Sequence, residues 1–121
     1  MDRIFARRSL LWRLAPLAWM ALVFILSNQP DIAEPFEIPD WLPADKLVHA
    51  GLYAVLAALL YLAGLGPVAS VVVTALYGVT DEIHQMFVPG RNPELLDLLA
   101  DLVGAVAGVW LVQRWSGEGE R

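Results

Sequence analysis

The chain lacks the residues on which several common kinds of functional site depend. It contains no cysteine, which excludes disulfides, thiolate zinc sites and cysteine nucleophiles. It also contains no His-Glu-x-x-His pair, no phosphate-binding glycine loop and no serine-nucleophile elbow. None of the usual zinc-protease, nucleotide-binding or serine-hydrolase signatures is therefore present.

Positive charge is scarce and unevenly distributed. Only 8 of the 121 residues are Lys or Arg, against 13 Asp or Glu. Four of these basic residues, Arg3, Arg7, Arg8 and Arg13, stand at the start of the chain. A nucleic-acid-binding surface needs a basic stripe or patch, so we expect no nucleic-acid partner.

Apolar residues are abundant instead. They make up 58% of the chain, and charged residues only 17%, where a soluble domain has about 45–50% and about 25%. A soluble core of this length would leave large apolar patches exposed. The composition therefore predicts a single integral membrane domain over residues 1–121, with the lipid bilayer as its surroundings.

Four apolar runs are each close to the roughly 20 residues that a helix needs to span a bilayer. They predict an all-α, four-helix transmembrane bundle with helices at about 10–27, 47–66, 67–87 and 95–115. The segments "GLGP" (64–67) and "VPGRNP" (88–93) are typical of tight helical hairpins. The segment 28–45, rich in proline and acids, is predicted to be a loop.

The distribution of arginines predicts the orientation, because basic residues near helix ends stay in the cytoplasm. The basic start of the chain is followed, after the first helix, by an acidic loop. We therefore expect a multi-pass protein of the cell membrane with both termini inside. Arg91 would then be the one arginine on the outer side, which runs against the rule.

This topology brings the polar ends of three helices to one depth in the outer leaflet. The second helix begins with Asp45, Lys46, His49 and Tyr53, the third ends with Asp81, Glu82, His84 and Gln85, and the fourth begins with Asp97 and Asp101. Charged groups facing lipid are costly, so they normally turn inward and pair or form a site. The alternative is structural: Asp45 caps its helix, and Arg91 forms an ion pair with Asp97 or Glu82.

Two segments carry a resemblance to a known family. "DKLVHAGLYAVLAALL" and "DEIHQMFVPGRNPELLDLLADLVGAVAG" resemble the VanZ-like membrane proteins of bacteria, over about residues 45–108. The resemblance implies a multi-helix membrane protein of the cell envelope, in a family whose name-giving member is linked to low-level teicoplanin resistance. The family often has Asn where this chain has Asp101. The matched positions are Asp45, Lys46, His49, Tyr53, Asp81, Glu82, Gln85, Phe87, Pro89, Gly90, Arg91, Asp97 and Gly104.

The first functional hypothesis is an outward-facing binding site for a lipid headgroup or a cell-wall precursor. Arg91 offers a planar fork for phosphate or carboxylate, and Lys46 a point charge. Such a protein would contribute to glycopeptide resistance by binding an envelope or lipid-linked ligand. The expected ligand-binding residues are Asp45, Lys46, His49, Tyr53, Asp81, Glu82, Gln85, Arg91, Asp97 and Asp101.

Two further hypotheses remain open. In an enzyme acting on a lipid-linked substrate, His49 would be oriented by Asp45 or Asp81, and Glu82 would act as the acid, so His49, Asp81 and Glu82 are the catalytic candidates. A metal held by His49, Asp81, His84 and Asp97 is conceivable, but we expect neither a metal nor another cofactor. The third hypothesis is proton or ion transport.

The segment "GAVAG" bears on assembly. It places Gly104 and Gly108 on one helix face, where small residues allow close packing within a protomer or between protomers. A homo-oligomer through this face is therefore one expectation.

Overall fold

The computed structural model of the chain describes residues 9–27, 44–88 and 95–117. These residues form four helices: α1 (Ser9–Ser27), α2 (Ala44–Leu62), α3 (Pro67–Gln85) and α4 (Leu95–Ser116). The described ranges contain no strand, so the predicted all-α fold with four helices is confirmed there. Most of the predicted loop at 28–45 and most of "VPGRNP" lie outside the described residues.

The bounds of α2 differ from the predicted 47–66. The helix begins three residues earlier, at Ala44, and therefore includes Asp45 and Lys46 in its first turn. It ends at Leu62 because Gly64 has a positive φ of 114°, a conformation that glycine adopts without steric penalty.

The end of α2 is closed by a pair of backbone hydrogen bonds. Gly64 N–H donates to the Tyr61 carbonyl at 3.1 Å, and Leu65 N–H donates to the Leu60 carbonyl at 3.2 Å. This pairing is a Schellman motif, which satisfies carbonyls that the helix end would otherwise leave open. Pro67 then begins α3 directly after the extended residue Gly66, so four residues connect the two helices.

Helices α2 and α4 run in the same direction and are in very close contact. A Cβ atom at Gly104 would lie 2.1 Å from the Ala50 carbonyl oxygen, and one at Gly108 equally close to that of Ala54. Both contacts advance by four residues along both helices, which defines a parallel pair. The Gly104–Gly108 face of α4 is thus covered by α2 within the protomer. A homo-oligomer would need another surface and stays a prediction.

The other two helices run opposite to α2 and α4. The start of α3 follows the end of α2 after four residues, and the end of α3 returns to the middle of α2, where Tyr53 contacts Asp81, so these two helices are antiparallel. On α1, Met20 accepts a hydrogen bond from Tyr77, and the Phe24 ring lies 4.4 Å from the ring of His84, so α1 follows the direction of α3. Successive helices therefore alternate in direction.

The burial pattern of α3 is the reverse of that in a water-soluble helix. Its buried residues are Ser70, Thr74, Gly78, Asp81, Glu82 and Gln85, all polar or glycine. Its exposed face is apolar and includes Val68, Val72, Leu76 and Ile83. A large exposed apolar surface of this kind fits a lipid environment or a partner rather than water.

Two helices are long and apolar enough to cross a membrane, by length and composition alone. They are α1, over Leu10–Ser27, and α4, over Leu95–Ser116. The apolar stretch of α2 is shorter, at Lys46–Leu62, and α3 carries acids in its last two turns. The acids at the end of α3 thus lower its apolar character.

Candidate functional site

Three polar pairs join separate helices at one end of the bundle. Lys46 Nζ lies 2.7 Å from Asp97 Oδ1, and His49 Nδ1 lies 3.0 Å from Asp101 Oδ1. The Tyr53 hydroxyl donates to Asp81 Oδ2 at 3.0 Å. We call these six residues, together with Gln85, the polar cluster.

Helical spacing explains how α2 can serve both neighbours. Lys46, His49 and Tyr53 stand at i, i+3 and i+7, so they share one face of the helix. The two acids of α4, Asp97 and Asp101, stand at i and i+4 on the face of α4 that meets α2. Because α2 and α4 are parallel and in close contact, the Lys46–Asp97 pair and the His49–Asp101 pair lie one turn apart.

Gly78 on α3 makes room for the carboxylate of Asp101. A Cβ at this position would lie 2.9 Å from Asp101 Oδ2, so a larger side chain would displace the acid. Gly78 shares the buried face of α3 with Asp81 and Gln85, at spacings of three and seven residues. It was not among the predicted site residues; its place on the same helical face as two polar residues is the signal that points to it.

Several buried polar atoms of the cluster have no hydrogen-bond partner. They are Asp81 Oδ1, Asp101 Oδ2, and both the amide oxygen and the amide nitrogen of Gln85. Gln85 is 1% exposed and Asp101 is also 1% exposed. Most buried polar atoms in proteins are paired, because leaving one unpaired costs about 1–3 kcal/mol. A group of four such atoms, from α3 and α4, therefore calls for a functional explanation.

Carboxylates outnumber the bases among the described residues of this region. Asp81, Glu82, Asp97 and Asp101 are all buried; Lys46 pairs with Asp97, and His49 contacts Asp101. The Asp101 carboxylate also lies within electrostatic range of Asp81 and Asp97. Lys46 pairs with Asp97, and the anion-binding role expected of Lys46 and Arg91 stays a prediction, because Arg91 lies outside the described residues.

Aromatic side chains attach α1 to this end of the bundle. The His49 and Tyr53 rings are parallel, with their centroids 6.3 Å apart, and the Tyr77 ring lies 6.1 Å beyond Tyr53. The Tyr77 hydroxyl donates to the Met20 carbonyl, and Trp19 Nε1 donates to the Leu52 carbonyl at 2.8 Å. Through these contacts α1 covers one side of the cluster.

The structure gives His49 a partner that the sequence does not predict. Its Nδ1 contacts Asp101, because α2 packs closely on α4, whereas Asp45 and Asp81 are the partners expected from the sequence. Asp81 is bound by Tyr53 instead, and Asp97 pairs with Lys46. The side chain of Asp45 and the whole of Arg91 lie outside the described residues, so the structure does not place them relative to the cluster.

The described residues do not form a metal centre. No group of three His, Asp or Glu side chains is arranged to hold an ion within ranges 9–27, 44–88 and 95–117. His84, one of the four ligands considered from the sequence, faces the ring of Phe24 on α1. His49, on α2, is bound to Asp101 of α4.

Comparison with known proteins identifies the family. The family model VanZ/LLP1 matches residues 5–116, which is nearly the whole chain. The chain belongs to the VanZ/LLP1 family. No curated protein and no solved structure matches it.

Membership of the VanZ/LLP1 family agrees with the resemblance found in the two polar segments. The match extends beyond residues 45–108 to include α1 and the end of α4. Together with the two apolar helices, VanZ/LLP1 membership indicates a membrane protein. Its chemistry has to be argued from the polar cluster.

Proposed function

We propose that this VanZ/LLP1 protein is a multi-pass protein of the bacterial cell membrane whose polar cluster binds the polar group of an envelope or lipid-linked ligand. All four helices span the bilayer, joined in part by two tight hairpins, and both termini are cytoplasmic. The cluster then faces the extracytoplasmic side. The buried and unpartnered Gln85 is the observation that carries the proposal.

The lengths of the helices support four spans. They contain 19, 19, 19 and 22 residues, and a helix rises about 1.5 Å per residue, so each is about 30 Å long, the thickness of the hydrocarbon layer. The reversed burial of α3 supports a lipid environment for that helix as well. A bundle that alternates in direction returns the chain to the starting side after four crossings.

Basic and acidic residues at the two ends of the bundle support the orientation. Arg13 in α1 and Arg114 in α4 lie at the end opposite the polar cluster, whereas the cluster end carries the acids. Basic residues are retained in the cytoplasm. This argument favours a cluster that opens toward the outside of the cell.

Gln85 supports a binding function more directly than the ion pairs do. An ion pair inside a membrane bundle can be structural, because it satisfies both partners. A buried amide without a partner lowers stability, since its desolvation is not compensated. Such a residue is expected where a ligand supplies the missing hydrogen bonds.

Extraction of the protein from bacterial membranes in a mild detergent, followed by native mass spectrometry, tests the proposal. The wild-type protein should retain a lipid or lipid-linked molecule, and Gln85→Met should lose most of it. Gln113→Met, the same change near the far end of α4, is the matched control and should retain it. Equal retention by Gln85→Met and the wild type would contradict the proposal.

The proposed link to glycopeptides is that the bound envelope ligand alters access of the antibiotic to its target. It rests on the family resemblance. Expression of the wild type should raise the minimal inhibitory concentration of teicoplanin in a susceptible Gram-positive host, and Gln85→Met should not, at equal membrane abundance. An unchanged value for the wild type would remove resistance from the proposal and leave ligand binding in place.

A second candidate is an acid–base enzyme acting on a lipid-linked substrate. The contact between His49 Nδ1 and Asp101 Oδ1 favours it, because a carboxylate that orients an imidazole is the usual arrangement of a general base. In this case His49→Ala would abolish turnover while ligand retention stayed near the wild-type level. Loss of retention in that variant would favour the binding function. Transport of protons or ions remains a prediction from the sequence.

A further inference from the structure

The chemical class of the ligand follows from the kind of atom that the cluster leaves without a partner. Asp81 Oδ1 and Asp101 Oδ2 are buried acceptors, and each belongs to a carboxylate whose other oxygen is already bound, by Tyr53 and His49 respectively. The amide oxygen of Gln85 is a third buried acceptor. The site therefore offers three acceptors, two of them charged, and one buried donor group, the amide nitrogen of Gln85.

These three side chains share one region of the bundle. Asp101 Oδ2 lies against Gly78, and Gly78, Asp81 and Gln85 share the buried face of α3 at i, i+3 and i+7. Side chains on a helix lean toward its N-terminus, so we expect the long Gln85 side chain to extend back toward the turn of Asp81. All three residues thus border the same buried face of α3.

We propose that the polar cluster recognises a primary ammonium group, held by Asp81 Oδ1, Asp101 Oδ2 and the amide oxygen of Gln85. This inference rests on the proposed binding function and specifies its ligand class. A primary ammonium has three N–H donors and no acceptor, which matches three acceptors in number and the two carboxylates in charge. Hydrogen bonds between charged groups are also the stronger ones.

Other ligand groups fit the acceptors less well. A phosphate or carboxylate would face two buried carboxylates, a like-charge arrangement that is unfavourable at low dielectric. A quaternary ammonium has no N–H to donate. A hard divalent cation takes six or more oxygen ligands, and the described residues contain no group of three His, Asp or Glu side chains arranged for a metal.

Two substitutions separate ligand recognition from folding. Asp81→Asn and Asp101→Asn each keep a carbonyl oxygen for the hydrogen bond from Tyr53 or from His49, and each replaces the ligand-facing oxygen with an NH₂ donor. The fold should therefore persist while the ammonium loses a charged acceptor. Loss of one charged hydrogen bond weakens binding by about tenfold or more.

The experiment uses the full-length protein in phosphatidylglycerol nanodiscs and follows its thermal unfolding midpoint. Added phosphatidylethanolamine should raise the midpoint of the wild type, and added phosphatidylcholine should not. Asp81→Asn and Asp101→Asn should abolish this difference, whereas Gln113→Met should keep it. Free ethylammonium chloride, compared with tetramethylammonium chloride at equal ionic strength, distinguishes a free amine from a lipid headgroup as the source of the ammonium. Stabilisation by both ethylammonium and phosphatidylethanolamine means that the ammonium group alone suffices. Stabilisation by phosphatidylethanolamine alone means that the site recognises a lipid headgroup.

Three results would overturn the ammonium proposal: equal stabilisation by phosphatidylcholine, equal stabilisation by magnesium chloride, or an unchanged response in both Asn variants. Lipid retention that still depends on Gln85 would in that case leave the proposed binding function standing. Absence of any retained molecule on the wild type would contradict the binding function itself.

Discussion

At the level of single side chains, the contact between His49 and Asp101 is the most informative pair in the cluster. The two residues come from different helices and are both almost fully buried. Asn at position 101, which the family often has, would preserve an acceptor for His49 without the charge. Both Asn and Asp at position 101 can therefore accept the hydrogen bond from His49. Only Asp also supplies an anionic acceptor to a ligand.

Asp101→Asn and Asp101→Leu should differ in stability because of this contact. Asn keeps an acceptor for His49 Nδ1, so its unfolding free energy should stay within about 0.5 kcal/mol of the wild type. Leu removes the acceptor from a buried donor and should lower the unfolding free energy by about 1–2 kcal/mol. Denaturation in mixed micelles followed by circular dichroism measures both values. Equal effects of the two substitutions would show that the contact contributes little.

Spacing along one helix made many residues of the cluster predictable from the sequence, and packing between helices made the pairings unpredictable. The periodicity of about 3.6 residues places Lys46, His49 and Tyr53 on one face whatever their neighbours are. Which acid each meets depends on the register of α2 against α4. For this reason the contact of His49 with Asp101 was not predicted. Gly78 was missed because it has no side chain and only leaves space for Asp101.

At the level of helices, the close contact of α2 with α4 determines that register. Gly104 and Gly108 allow the two backbones to meet at Ala50 and Ala54, one and two turns beyond the charged pairs. The distance between the helices at the cluster is therefore fixed by residues that carry no chemistry themselves. A change at these glycines should act on the site through helix position.

Gly104→Ala should destabilise the bundle, because its Cβ would overlap the Ala50 carbonyl and force the helices apart. Overpacking of this kind costs about 1–3 kcal/mol. Gly51→Ala is the control, since a Cβ at Gly51 meets nothing within 4 Å, and it should be neutral or slightly stabilising. The same denaturation assay compares them. If Gly51→Ala were the more damaging variant, the described packing of α2 on α4 would be incorrect.

Helix ends show which local features can be predicted and which cannot. Proline after glycine in "GLGP" located the connection between α2 and α3 correctly, because these two residues restrict the backbone by themselves. The end of α2 was placed four residues too late, since the Schellman motif at Gly64 uses residues that also suit a helix. The first turn of α2 contains Asp45 and Lys46. The sequence predicts a later start, at residue 47, because these two residues are polar.

At the level of the whole molecule, the arrangement separates a polar end from an apolar body. The buried polar residues of α3 face the other helices, and the exposed side chains along the bundle are mostly apolar. This distribution suits a protein surrounded by lipid, where the interior is the place for polar groups. The composition was sufficient to predict this much, but not the depth of the cluster or its side of the membrane.

Cysteine labelling in intact cells tests the orientation, and because the chain has no native cysteine, the wild-type protein itself gives no signal. Val88→Cys, just after α3 at the cluster end, should react with a membrane-impermeant maleimide. Ser116→Cys, at the opposite end of α4, should react only after the cells are permeabilised. The reverse pattern would place the cluster in the cytoplasm, against the proposed topology.

The central claim is that the polar cluster is a ligand site and not only a set of structural contacts. The unfolding free energy of Gln85→Met, measured on the delipidated protein together with lipid retention, tests it most directly. The claim predicts a variant that is more stable than the wild type by about 1–3 kcal/mol, because a buried unpartnered amide has been removed, and that has lost its bound molecule. A variant that is less stable than the wild type and still retains that molecule would contradict the claim.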